Sequence, residues 1–205
     1  MAIRKSKIER KSKETKIKLE LNVDGTGKSK IKTPIGFLDH MLELFVFHGF
    51  FDLNLDVAGD THVDEHHTNE DIGIVLGKAF KEALGEKKAG IKRFGVGFSP
   101  MESTLGQTVI DLSGRGYLTL RIGDMKIKGL NKQEDGYSYN YLEHFLESFA
   151  HNLGATINVY VTNPSEDLHT NVETVFKSLG LALDQATQID SRRKGQVPST
   201  KGIID

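Results

Sequence analysis

The chain of 205 residues has no cysteine and no tryptophan. Without cysteine there can be no disulfides, no thiolate metal sites and no sulfur nucleophiles, and the composition fits a reducing, cytoplasmic setting. Proline is scarce, at 4 residues, and no apolar run is long enough to span a bilayer. The opening Met1-Ala2-Ile3-Arg4-Lys5 lacks the apolar stretch of a secretory leader. Neither sign of charge prevails: 27 lysines and arginines meet 28 aspartates and glutamates, for a formal net charge of −1. A basic footprint for nucleic acid or an anionic membrane surface is therefore missing.

What remains is a globular composition, 38% apolar and 27% charged, with eight histidines among 205 residues. The length suits one large domain or two small fused units. Thr15 to Val23 alternates apolar and polar residues, which predicts a half-buried strand, and Asp24-Gly25-Thr26-Gly27 reads as a hairpin turn into a weaker strand over 28–33. Ile35, Leu38, Leu42 and Phe45 follow helical spacing, with Gly49 as the stop. Asp52 to Val57 alternates again, and a helix is predicted from His66 to Ala83. The second half repeats the order, with strands at 108–112 and 117–122, a helix through Tyr141, Phe145 and Phe149, a strand at 157–161, and a closing helix over 168–186. The polar stretch 123–138 reads as a loop. The prediction is an α+β fold of two β-β-α-β-α halves, with helices on one face of mostly antiparallel sheets. The halves form a single domain over 1–205 as pseudo-repeats of about 10–95 and 96–190, followed by a basic tail, 191–205.

The repeat carries chemistry. His66-His67-Thr68-Asn69-Glu70 in the first half matches His169-Thr170-Asn171-Val172-Glu173 in the second. A histidine four residues before a glutamate puts both on one face of a helix, where they can share an ion. His40/Glu43 and His144/Glu147 stand at i,i+3 on the other predicted helix of each half. One such pair alone is an ordinary surface pair; matching pairs in both halves point to paired metal sites. Imidazole and carboxylate without thiolate suit manganese, iron, cobalt, nickel or zinc rather than calcium. Arg93, Arg115, Lys177, Ser199 and Lys201 are candidates for an anion, since hydroxyl, ammonium and backbone donors together can clamp phosphate oxygens. Glu14 and Glu102 are candidate acid–base carboxylates.

Several strings in order along nearly the whole chain resemble the imidazoleglycerol-phosphate dehydratase family of histidine biosynthesis. They are Arg10-Lys11-Ser12-Lys13-Glu14-Thr15, Gly36-Phe37-Leu38-Asp39-His40-Met41-Leu42, Asp64-Glu65-His66-His67-Thr68-Asn69-Glu70-Asp71, Arg93-Phe94-Gly95, Pro100-Met101, Asp111-Leu112-Ser113-Gly114-Arg115, Glu143-His144-Phe145 and Pro198-Ser199-Thr200-Lys201-Gly202. The resemblance implies loss of water from imidazole glycerol phosphate to give imidazole acetol phosphate. It implies two Mn2+ per active site, shared between subunits of a homo-oligomer of 24. The implied ligands are His40, His66, His67, Glu70, His144, His169 and Glu173. Phosphate would fall to Arg93, Arg115, Lys177, Ser199 and Lys201, and the reacting atoms to Glu14, Glu102, His67 and Glu70. Two positions depart from the family pattern. Thr170 stands where the second motif has a histidine, so one metal site is expected to lack an imidazole. Glu102 replaces an aspartate, and Ser103 the acid after it. The alternative readings are a catalytically weak or inactive metal-binding homologue, and a metal-sensing oligomer with no substrate. A sensor would have no use for a converging phosphate set.

Overall fold

A computed structural model describes residues 4–61, 64–85, 88–124, 133–134 and 136–204. The first half runs β1 (Lys5–Lys11), β2 (Thr15–Asn22), β3 (Ser29–Lys32), α1 (Gly36–Gly49), β4 (Asp52–Gly59) and α2 (His66–Leu84). The second runs β5 (Phe94–Met101), β6 (Thr104–Asp111), β7 (Tyr117–Ile122), the two-residue strands β8 (Gln133–Glu134) and β9 (Tyr137–Ser138), then α3 (Tyr139–Leu153), β10 (Thr156–Thr162) and α4 (Leu168–Thr187). The periodic segments fold as their spacing predicts. In β2, Ile17, Leu19 and Leu21 are buried while Lys16, Lys18 and Glu20 are exposed. Helix α1 buries Leu38, Met41, Leu42 and Phe45, and ends where Phe50 takes a left-handed conformation at φ 55°.

The two halves share one topology. The first sheet has the order β1-β2-β4-β3 and the second β5-β6-β10-β7. In each, three strands are antiparallel and the last, β3 or β7, runs parallel to its neighbour β4 or β10. The α+β class and the duplication hold, but each half begins with a strand the apolar pattern does not reveal. Strand β1 has Ile8 as its one large apolar residue and is otherwise lysine-rich, as befits an exposed edge. Strand β5 carries Gly95 and Gly97 at its inward positions. A Cβ there would lie 1.9 Å from the Ala182 carbonyl oxygen and 2.0 Å from that of Ser178, so only glycine lets α4 sit this close to the sheet.

The predicted hairpin at Asp24–Gly27 does not form, because β4 lies between β2 and β3. The Asp52 carboxylate, at the start of β4, accepts the backbone N–H groups of Thr26 (2.8 Å) and Lys28 (3.2 Å). The turn is thereby wrapped round β4 rather than folded back on β2. The stretch read as a loop ends in the β8–β9 ladder, with Tyr137 fully buried; residues 125–132 and 135 lie outside the described residues.

Each half lays its two helices on the inner face of its own sheet, and the halves meet helix to helix: α1 packs on α4 and α2 on α3. One apolar core runs through both, including Phe45, Phe51, Phe80, Phe145, Phe149 and Phe176. The outer faces of the sheets differ. The first is a lattice of lysines and carboxylates such as Lys7 with Glu20 (2.7 Å). The second exposes Phe94, Val96, Phe98, Val109, Tyr117 and Tyr160. Among the described residues no helix is long and apolar enough to cross a membrane.

Candidate active site

The motif histidines occupy the first two turns of all four helices, and helix packing sorts them into two groups. The first lies between α1 and α4. The Asp167 carboxylate caps α4, accepting the backbone N–H groups of His169 (3.1 Å) and Thr170 (3.0 Å). One turn on, Glu173 Oε2 lies 3.2 Å from His169 Nε2 and 3.8 Å from His40 Nε2, which comes from α1. One ligand atom from each of these three residues falls within 4.8 Å of the others. Lys177 Nζ donates to the other oxygen of Glu173. Burial pushes the Glu173 carboxyl up, but Lys177, His169 and His40 outweigh it and hold it below its ordinary value. It is therefore anionic at neutral pH. Two imidazoles and a carboxylate at this spacing fit one divalent transition metal.

The second group is the repeat-related counterpart, between α2 and α3. His66 Nε2 lies 3.9 Å from Glu70 Oε2, and the His66 and His144 rings meet edge-on at 4.5 Å. Thus His144 matches His40, His66 matches His169, and Glu70 matches Glu173. The match fails at one position. His67 Nδ1 faces Glu14 Oε2 at 3.6 Å, whereas the Thr170 hydroxyl donates to Asp167 Oδ2 at 2.6 Å. In the second half the residue is part of a helix cap.

Glu14 sits at the tip of the β1–β2 hairpin. The Ser12 hydroxyl accepts the N–H groups of Glu14 (3.1 Å) and Thr15 (2.9 Å). Thr15 in turn donates its hydroxyl to buried Asp71, which Arg10 also contacts at 2.7 Å. The hairpin bearing Glu14 is thus tied to the helix bearing His66, His67 and Glu70. Spacing alone does not mark Asp71; its signal is a charged residue beside Ile72 at the start of a buried stripe. Glu102 and Ser103 are exposed at the tip of the β5–β6 hairpin, with Glu102 at φ 53°. By the repeat, that tip corresponds to the hairpin of Glu14.

The anion candidates divide. Arg93, Ser113, Arg115, Ser199, Thr200 and Lys201 line a cavity of about 160 Å³. Arg93 grips Asp111 through two nitrogens (2.6 and 3.0 Å) and donates to the Pro198 carbonyl (2.9 Å), so it also anchors the tail. Lys201 N–H donates to the Ser199 hydroxyl at 3.2 Å. Lys177, by contrast, is with Glu173. The cavity and the α1–α4 group stand at opposite ends of α4. Arg93 N–H bonds to the Ala186 carbonyl near the helix C-terminus, and at 1.5 Å per residue His169 lies about 25 Å away. A larger concavity, about 670 Å³, is elsewhere, on the charged outer face of the first sheet, and no histidine lines it. An open saddle of lysines and carboxylates is a solvated surface, so the smaller cavity is the chemically meaningful one.

Known proteins share this sequence pattern and fold. The sequence model for imidazoleglycerol-phosphate dehydratase matches residues 33–183. The chain is 49% identical to the imidazoleglycerol-phosphate dehydratase of Geobacter sulfurreducens, over 98% of this chain and 99% of that one. It is 48% identical to that of Bacillus pumilus, over 98% and 100%. The crystal structure of the Pyrococcus furiosus enzyme superposes with a TM-score of 0.78 at 36% identity, covering 96% of this chain and 99% of the other. That of the Staphylococcus aureus dehydratase does so with a TM-score of 0.76 at 30%, covering 91% and 99%. With the repeat, the helix-borne histidine–carboxylate groups and the hydroxyl-and-cation cavity on one scaffold, the chain belongs to the imidazoleglycerol-phosphate dehydratase family.

Proposed function

We propose that this chain removes water from imidazole glycerol phosphate to give imidazole acetol phosphate, with divalent metal, manganese expected, in the histidine–carboxylate groups. The family's enzymes are hydro-lyases and serve histidine biosynthesis. The observation that carries the proposal is the pairing of two site types on one fold: the His40–His169–Glu173 group with metal-ligand spacing, and a small cavity of arginine, lysine and serine suited to a phosphate monoester. His40, His169 and Glu173 would hold one ion; His66, Glu70 and His144 form the related set, beside His67. Bound metal would supply Lewis acidity toward the imidazole ring of the substrate. Arg115, Ser199 and Lys201 bind and orient the phosphate, with Arg93 held in place by Asp111. Glu14, fixed by Ser12 and Thr15 and facing His67, takes up and returns the carbon-bound proton. Product and water together account for all substrate atoms.

A shared site is supported by distance: one small phosphate ester cannot bridge about 25 Å of α4, so in this reading the cavity of one subunit serves the His40–His169–Glu173 group of another. The exposed apolar face of the second sheet supports self-association, in line with a large homo-oligomer, 24 subunits in this reading. We place it in the cytoplasm as a biosynthetic enzyme. Mixing tests the sharing: Lys201→Ala and His40→Ala proteins, each without turnover at low substrate, regain dehydratase activity there when dissociated and reassembled together. Failure of mixed assemblies to recover any turnover, with both parents folded, would refute a shared site.

A further inference from the structure

Lys88 is a lysine where an apolar residue would fit better. It lies in the linker between the two halves and is 3% exposed. Its Nζ donates to the backbone carbonyls of Leu153 (3.5 Å) and Gly154 (3.2 Å). These lie at the C-terminal end of α3, where unpaired carbonyls and the helix dipole favour a cation. The charged groups facing it are Lys81 from α2, Arg93 from the linker and Asp111 from β6. Asp111 is already held by Arg93 through two hydrogen bonds. Desolvation pushes the Lys88 amine down to about 8, so the ammonium present at neutral pH is kept at a cost.

That charge sits behind the anion cavity. The Gly154 carbonyl that accepts from Lys88 also accepts the Gly114 N–H at 2.8 Å. A Cβ at Gly154 would lie 2.7 Å from the Gly114 carbonyl oxygen, so the two glycines are in close contact. Gly114 lies between Ser113 and Arg115, two walls of the cavity. The same linker holds the other walls. Gly90 N–H donates to the Gln196 carbonyl (2.9 Å) and the Gly90 carbonyl accepts from Asp190 (2.8 Å), fixing the run into Ser199–Lys201.

We propose that Lys88 is a positioning residue of the anion cavity: its ammonium, seated on the Gly154 carbonyl, fixes the Ser113–Arg115 turn and adds buried positive charge behind a bound phosphate. This rests on reading the cavity as a phosphate site. The test is calorimetric titration of inorganic phosphate into the full-length protein and into K88M, K88Q and K88R, with melting temperatures alongside. K88Q retains a donor for the carbonyls and K88R retains the charge. We expect K88M and K88Q to bind phosphate about tenfold more weakly, the order of effect that removing a supporting partner of a ligand group has, and K88R to recover most of the loss. Phosphate binding unchanged in K88M and K88Q, whatever their melting temperatures, would reduce Lys88 to a helix cap and overturn the proposal. So would an equal loss in all three variants, which would mark a packing effect. Should K88M fail to fold, the contrast between K88Q and K88R decides. No phosphate binding by the unmodified protein would instead refute the phosphate reading of the cavity itself, and this inference with it.

Discussion

Replacing Thr170 by histidine should change metal stoichiometry, and the structure sets the sizes of the opposing effects. His67 and Thr170 are the one mismatched pair between two otherwise matching ligand sets, His66/Glu70/His144 and His169/Glu173/His40. The Thr170 hydroxyl is engaged with Asp167 at 2.6 Å, and Asp167 also accepts two backbone N–H groups. Histidine there forfeits the hydroxyl bond but keeps the backbone cap, so the stability cost is about 1 kcal/mol. The gain is an imidazole at the position equivalent to His67. Even an outer partner of a metal ligand is worth about 10–100-fold in affinity, so a direct ligand should be worth at least that. The unmodified protein should therefore bind Mn2+ in two unequal classes, or one ion per subunit at modest concentration. T170H should bind two with similar affinity, melt slightly lower when metal-free, and show higher dehydratase activity. Calorimetric titration after chelation, with elemental analysis of the recovered protein, reads both forms. Two equally tight ions in the unmodified protein would show that Thr170 does not stand in for a missing ligand.

Three further outcomes follow from other parts of the structure. Lys201→Ala removes an ammonium from the cavity wall but touches no metal group, so KM for the phosphate substrate should rise more than kcat falls; unchanged KM in steady-state kinetics would remove Lys201 from the phosphate set. Gly97→Ala places a methyl 2.0 Å from the Ser178 carbonyl oxygen and should cost about 3 kcal/mol or more in urea unfolding; a change within error would mean α4 can move off the sheet. The Lys88 amine is held at about 8 in the folded protein against an ordinary 10.5, so between those values the unfolded chain binds the extra proton. Its contribution to stability is thus fully present above about 10.5 and lost as pH falls to about 8, by on the order of 3 kcal/mol. Unfolding free energies of the unmodified protein minus K88M, from pH 7 to 10.5, should trace that rise, and a flat difference would contradict the burial of the charge.

Helices and inner strands were legible because they obey a period: the 3.6-residue stripe of α2 and the strict alternation of β2 each leave few other solutions. Strands β1 and β5 were not, since one buries little and the other fills its inward face with glycine, so neither carries an apolar signal. Strand order was also hidden. Asp24–Gly27 has the composition of a hairpin turn, and only the capture of its backbone by Asp52, 28 residues after Asp24, sends it round β4. At the site, histidine–glutamate spacing and its duplication exposed the ligand candidates. A repeat reveals which residues are equivalent but not which are adjacent. That His40 meets Glu173 from the other half depends on α1 packing against α4. For the same reason the sequence does not show that Lys177, which lies against Glu173, is about half of α4 away from the cavity of its own chain. Lys88 and Asp71 act through backbone carbonyls and a hairpin hydroxyl, contacts that leave no spacing to read.

The most direct test of the account is turnover. Protein stripped by chelation is given imidazole glycerol phosphate with and without added Mn2+, and imidazole acetol phosphate is followed by proton magnetic resonance. The account predicts product only when metal is restored, and loss of product when Lys201 is replaced at low substrate. Metal bound and the assembly intact, but no imidazole acetol phosphate formed, would contradict it and leave a metal-binding homologue without the activity.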